Sequence, residues 1–169
     1  MIEVRKLLAS DDRTHLRSGN PDLDRFFQTY AAQNQFKLYV GTTYVAVDMG
    51  AIFGFVTLTV SAIEVDDLPL ALGRRLPRYP LPVLRIARLA VDGAAQGRGV
   101  GRALLRFAFG LALSLRDGLG CVGIVVDAKE EARAFYEKLG FVPLQVEEGL
   151  LGERPAPTPL FLPIAKVAG

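Results

Sequence analysis

A chain of 169 residues, half of them hydrophobic and 22% charged, predicts one compact domain spanning 1–169 and excludes a disordered polymer. One cysteine and one histidine exclude a disulfide framework and leave too few soft ligands for a structural zinc site, so no metal is expected. The formal charge is only +2, but Leu68–Arg116 holds nine arginines against the single acid Asp92, a local +8 that leaves −6 for the rest and suits a phosphate-bearing ligand.

In chain order, Ile2–Leu8 reads as an edge strand. The start carries Glu3 and no apolar core, so it is not read as a secretory leader. No window approaches the ~18 apolar residues of a membrane span, and the expected compartment is a reduced cytoplasm. His15 reads as a surface residue. Asn20-Pro21-Asp22 starts a helix: Asn20 caps, Pro21 suits the first helical position, and Asp22 and Asp24 favour the dipole. Leu23, Phe26, Phe27, Tyr30 and Ala31 follow at helical spacing, and that helix runs to about Lys37. Thr42–Asp48 and Ile52–Val60 are strands joined by the hairpin signal Met49-Gly50-Ala51, with Ile63–Val65 continuing the second.

Pro69–Pro82 carries four prolines and three arginines and reads as a long loop. Leu84–Val91 is a strand, Asp92–Ala95 a turn, and Gly97–Gly101 opens a helix to about Leu115. Cys121–Val126 is a nearly continuous apolar run, read as a strand buried on both faces with Cys121 in the core. Asp127 caps a helix over Glu130–Leu139 with Ala132, Phe135 and Leu139 inward, and Gly140 ends it. Phe141–Val146 and Leu160–Val167 are the last strands, separated by a polar, proline-rich loop at Glu147–Pro159. The order predicts an α/β (α+β) domain: a mixed central sheet of about six to seven strands with helices on both faces.

Two stretches carry chemistry. In the first, a strand ending Leu89-Ala90-Val91 leads into Gln96-Gly97-Arg98-Gly99-Val100-Gly101-Arg102 and then a helix. Three glycines in five residues remove side chains where backbone amides approach a ligand. A helix N-terminus adds unpaired N–H donors and a positive dipole end, which suits a pyrophosphate, with Arg98 and Arg102 at the rim. The turn is neither a Walker loop, since no Gly-Lys-Ser/Thr closes it, nor the G-x-G-x-x-G of a dinucleotide fold; a tight packing turn is the competing reading. In the second, Val126-Asp127-Ala128 leads into a helix with Tyr136 beside Phe135. A tyrosine can serve as a general acid; an amphipathic-helix residue with its hydroxyl at the surface is the competing reading.

Together, R-L-A-V-D…Q-G-R-G-V-G and A-R-A-F-Y-E-K-L-G-F resemble the acetyl-CoA loop and late tyrosine helix of the GNAT N-acyltransferase superfamily. S-G-N-P-D-L-D-R-F-F-Q, T-T-Y-V-A-V and R-R-L-P-R-Y-P-L-P-V-L further resemble the GNAT toxins of toxin–antitoxin pairs, with the acidic, proline-rich Glu147–Pro159 as a departure. The resemblance implies a GNAT fold and transfer of acetyl from acetyl-CoA to the α-amino group of aminoacyl-tRNA, with a ribbon-helix-helix antitoxin as partner and a homodimer as assembly. It implies that Leu89, Ala90 and Val91 pair with the pantetheine arm and that Gln96 and the amides from Gly97 to Arg102 hold the pyrophosphate. Asp127 and Ala128 then lie where strand ends splay to admit the cofactor, and Tyr136 protonates the leaving thiolate. The Val91 N–H would polarise the thioester carbonyl. Arg74, Arg75, Arg78 and Arg85 would contact tRNA, whereas Arg88 would pair with a carboxylate under the sheet. The alternatives are an acetyltransferase for a small-molecule amine or a protein N-terminus, and a catalytically silent acetyl-CoA-binding module.

Overall fold

The computed structural model describes residues 1–145 and 158–169. Its strands are β1 (Glu3–Lys6), β2 (Thr42–Asp48), β3 (Ala51–Ile63), β4 (Leu81–Val91), β5 (Gly123–Ala128), β6 (Val142–Pro143) and β7 (Thr158–Pro163). They form one seven-stranded mixed sheet in the order β1-β2-β3-β4-β5-β7-β6, as the α/β expectation required. The last strand in sequence, β7, lies between β5 and β6 and runs antiparallel to both.

Contacts divide the chain into two compact units. The first comprises Met1–Thr59 and Ile86–Gly110. Here α1 (Pro21–Arg25) begins as its sequence dictates: the Asn20 side chain accepts from the Asp22 and Leu23 N–H groups, and Pro21 occupies the first turn. The helix then widens into a π-turn (Phe26–Tyr30), returns to α2 (Ala31–Gln33), widens again (Asn34–Leu38) and stops at Tyr39, where φ is +55°. The wide turns alter which side chains face inward. Phe26, Phe27, Ala31 and Gln35 are buried, whereas Tyr30, which helical spacing groups with the first three, is exposed. Phe27 stacks on Phe55 at 4.6 Å. With Leu7, Leu16, Val45 and Ala90 they form this unit's core, and truncating Phe55 to Ala would cost about 3–5 kcal/mol. The β2–β3 hairpin turns at Met49 and Gly50, both with positive φ, the geometry that matches strand twist.

The second unit comprises Val60–Arg85 and Leu111–Gly169, around Ile63, Leu68, Leu81, Val83, Val125, Leu144 and Phe161. Several sequence expectations change here. The second strand stops at Ile63, because Glu64 and Asp67 cap a 3₁₀ turn over Val65–Asp67. The Pro69–Pro82 loop contains one helical turn, α3 (Leu70–Gly73), and β4 begins within it at Leu81. Cys121 is buried, and its thiol donates to the Gly123 carbonyl at 3.2 Å. The predicted strand Leu160–Val167 is instead β7 followed by α6 (Ile164–Ala168): Pro163 brings no N–H to the ladder, and its φ of −60° starts a helix. β6 is shorter than the predicted Phe141–Val146. Residues 146–157, which include most of the expected Glu147–Pro159 loop, lie outside the described residues, and Thr158 and Pro159 belong to β7.

Two helices complete the site-bearing elements. α4 (Val100–Gly118) continues through the predicted end at Leu115 and closes when the Gly120 N–H bonds the Leu115 carbonyl at φ +104°. α5 (Glu130–Lys138) follows β5, and Gly140 at φ +101° ends it as predicted.

Candidate active site

The glycine turn is built by backbone demands. Asp92 accepts from the Ala94 N–H at 2.8 Å and the Arg17 N–H at 3.0 Å, fixing where the chain leaves β4. The chain passes through a 3₁₀ turn (Gly93–Ala95) and reaches Gly97 and Gly99, whose φ values are +80° and +81°. An L side chain at either position would cost about 1–2 kcal/mol. A Cβ at either glycine would meet nothing within 4 Å, so these glycines are required by conformation and the space above them is open. Val100 is buried and starts α4. Among the described residues, no acceptor faces the N–H groups of Gly97, Gly99, Val100, Gly101 or Arg102. Such a set of unpaired donors at the positive end of a 19-residue helix is an anion cradle.

The side chains around the turn lie at its edge. Gln96 donates from Nε2 to the Val91 carbonyl at 3.3 Å. Arg98 is half-exposed, with its guanidinium 3.4 Å from Asp48 and 5.2 Å above the Phe53 ring. Arg102 is exposed without an ion-pair partner among the described residues. On β4, Ala90 is buried while Leu89 and Val91 are partly exposed.

Tyr136 is 4% exposed, which rules out the surface-hydroxyl reading. It packs edge-on against Phe135 at 5.3 Å and Phe141 at 5.4 Å. The expected inward position of Phe135 is corrected: Phe135 is exposed and Tyr136 is the buried member of the pair. Burial disfavours the phenolate and pushes the Tyr136 pKa up to about 12. The ring keeps its proton at neutral pH, as an unperturbed phenol also does, and burial makes it the weaker acid.

Asp127 does not cap α5. β5 runs on to Ala128, Lys129 takes the cap position without a side-chain bond, and Asp127 instead accepts from Arg85 Nη1 at 2.6 Å. Arg85 also donates from Nε to Ser61 Oγ at 3.3 Å. Ala128 is buried. Arg74 and Arg75 are exposed, and Arg78 reaches Asp66 at 3.3 Å on the surface. The expected carboxylate partner of Arg88 is absent among the described residues; its guanidinium lies 3.8 Å above the Phe26 ring, a cation–π contact. His15 is at the surface, 3.0 Å from Asp12, as expected. Among the described residues no three His, Cys, Asp or Glu side chains could hold a metal, and no helix is long and apolar enough to cross a membrane.

The family described as "Acetyltransferase (GNAT) domain" matches residues 40–143. The chain belongs to the GNAT acetyltransferase family. It is accordingly an acetyl-CoA-dependent N-acetyltransferase, and the open donor-rich turn has the chemistry to receive a coenzyme A diphosphate. A tRNA-acetylating toxin of Mycobacterium tuberculosis is 36% identical over 138 residues, covering 81% of this chain and 82% of that protein. A structure solved as "AtaT complexed with acetyl-methionyl-tRNAfMet" superposes with a TM-score of 0.86 at 26% identity, covering 99% of this chain and 98% of that one. A second structure, AtaTR bound with acetyl-CoA, has a TM-score of 0.79 at 26% identity, covering 99% and 96% of the two chains. A shorter match is to glucosamine 6-phosphate N-acetyltransferase 1 of Oryza sativa, 37% identical over 62 residues, which cover 37% of this chain and 35% of that protein.

Two supporting residues escaped sequence reasoning, Asp48 as partner of Arg98 and Ser61 as partner of Arg85, and Asp92 was read as part of the turn but not as the acceptor that organises it. The aspartate ending R-L-A-V-D was a usable signal, since an Asp followed by Gly-Ala-Ala is a turn cap. Asp48 and Ser61 meet their partners across 50 and 24 residues of sequence, which no local pattern reveals.

Proposed function

We propose that this chain is a toxin-type N-acetyltransferase that transfers acetyl from acetyl-CoA to the α-amino group of aminoacyl-tRNA and so blocks translation. The observation that carries this reading is the 36% identity to a tRNA-acetylating toxin across 81% of the chain. The chain acts as one catalytic domain in the cytoplasm, as a homodimer, and is neutralised by a ribbon-helix-helix antitoxin.

Acetyl-CoA supplies an activated acyl thioester. The backbone of Leu89, Ala90 and Val91 pairs with the pantetheine arm, and the Val91 N–H polarises the thioester carbonyl. The Gly97–Arg102 amides hold the diphosphate, with Gln96 bracing the turn against β4 and the Arg98 and Arg102 charges at its rim. Asp127 and Ala128 border the cofactor through their backbone, since the Asp127 carboxylate is engaged by Arg85. The acceptor amine needs little help: an α-amino group has a pKa near ~7.7–8.0, so an appreciable fraction is neutral at cytoplasmic pH. The neutral amine attacks the thioester carbonyl, the carbon–sulfur bond breaks, Tyr136 gives its proton to the departing thiolate, and the proton shed by the amine returns to the phenolate through solvent. The phenol is protonated through the physiological range, as an unperturbed tyrosine also is, and burial makes it a weaker acid, so the role rests on its position and not on its pKa. Arg74, Arg75, Arg78 and Arg85 meet the acceptor stem, for which the basic run is suited.

Expression in a bacterial host tests this directly. Wild type arrests growth and translation, and Tyr136→Phe restores both. Equal toxicity of the two would remove the tyrosine from the chemistry. The reading in which the acceptor is a small amine draws on the glucosamine 6-phosphate N-acetyltransferase match, which covers only 37% of the chain.

A further inference from the structure

We propose that Arg85 is a preset anchor for one phosphate group of the acceptor, and that Asp127 and Ser61 are the positioning residues that hold it ready. This rests on the reading of the acceptor as a charged tRNA.

Arg85 stands on β4 and is gripped from the strands on either side. Its Nε donates to Ser61 Oγ on β3 at 3.3 Å, and its Nη1 donates to Asp127 Oδ2 on β5 at 2.6 Å. Contacts at two separate nitrogens fix the plane of the guanidinium as well as its position. The far nitrogen, Nη2, has no acceptor among the described residues, and the side chain remains 28% exposed. A rigid fork with one open edge matches the paired oxygens of a phosphate, which a lysine ammonium cannot do.

The other arginines proposed for tRNA contact lack this preparation. Arg74 and Arg75 are exposed and unpaired among the described residues, and Arg78 and Asp66 meet at 3.3 Å with side chains 79% and 77% exposed. They must be ordered when they meet a ligand, which costs side-chain entropy. For Arg85 that cost is met in folding. The sheet does not need the bridge, because β3, β4 and β5 are already hydrogen-bonded neighbours, and a partly exposed ion pair adds little to stability.

The charge of Asp127 separates the anchor from plain electrostatics. Removing it makes the surface more positive, so simple attraction predicts tighter tRNA binding by Asp127→Ala. The anchor predicts weaker binding, because the guanidinium is released. The experiment is steady-state acetylation of charged tRNA at several salt concentrations, with melting curves to establish folding and calorimetry to follow acetyl-CoA affinity. Asp127→Ala and Arg85→Lys are each expected to raise KM for charged tRNA roughly 10- to 100-fold, the scale of a hydrogen bond to a charged group, while changing kcat far less. Ser61→Ala gives a smaller rise of the same kind. Replacing Arg74, Arg75 and Arg78 together by Gln should instead flatten the salt dependence by about two to three phosphate contacts. A lower or unchanged KM in Asp127→Ala, or Arg85→Lys behaving as wild type, overturns the anchor while leaving the acceptor reading intact. Failure of the wild type to acetylate any charged tRNA overturns the acceptor reading and the anchor with it.

Discussion

The glycine turn before α4 and the end of β5 with α5 differ in what carries chemistry. At the turn it is the backbone: Gly97 and Gly99 adopt positive φ, the donors are main-chain N–H groups, and the neighbouring Arg98 and Arg102 are exposed. At β5 and α5 it is side chains, and their surroundings decide what they do. Tyr136 is buried, which holds its proton more tightly, and the Asp127 carboxylate is engaged by Arg85. The lesson is that a backbone site tolerates change in its visible side chains but not in its glycines, whereas a side-chain site is sensitive to a single atom.

The largest test of that contrast is Tyr136→Phe, which removes one oxygen. Loss of a general acid should lower kcat by about 10²–10⁴-fold in an acetyl-transfer assay, with acetyl-CoA affinity near wild type. A small drop would move the acid elsewhere.

The same phenol gives a second prediction, in stability. Burial raises the Tyr136 pKa to about 12, against ~10 in an unfolded chain. The folded state therefore holds this proton more tightly, so the resulting stabilisation is complete below pH ~10 and is lost as pH rises to about 12. It amounts to roughly 2–3 kcal/mol. Denaturant unfolding of wild type and Tyr136→Phe between pH 9 and 12 should show the wild type losing that much more stability over this window. Parallel curves would mean that the hydroxyl is hydrated.

At the backbone site, Gly99→Ala should cost about 1–2 kcal/mol, because alanine resists φ near +81°. Acetyl-CoA affinity should fall roughly tenfold by calorimetry, since misdirected amides forfeit charge-assisted bonds. The smallest effect belongs to Asp48→Asn. Its bond to Arg98 is long and partly exposed, so stability should change by less than ~1 kcal/mol in thermal melts. A large loss there would show that the rim matters as much as the glycines.

The two regions also differ in how far they could be read from sequence. Glycine spacing and the Asn20-Pro21 cap are local, and both the turn and the helix start lie where the residues point. The π-turns after Arg25 are not local: burial of Gln35, which bonds the Leu7 carbonyl and the Thr43 N–H, goes with a register that 3.6-residue spacing misses, and so Tyr30 is exposed. Choosing between Phe135 and Tyr136 as the inward residue fails for a related reason. Adjacent helix positions differ by about 100°, and it is tertiary packing, such as Phe141 edge-on to the Tyr136 ring, that covers one of them. Arg85, Ser61 and Asp127 come together through strand order, which becomes visible only once the sheet is assembled.

The central claim is the identity of the acceptor. Charged tRNA incubated with acetyl-CoA and the purified protein, digested by nuclease and analysed by mass spectrometry, should yield N-acetylaminoacyl adenosine with wild type and almost none with Tyr136→Phe. Release of free coenzyme A without that adduct, or its appearance at equal rates with both proteins, would contradict the account.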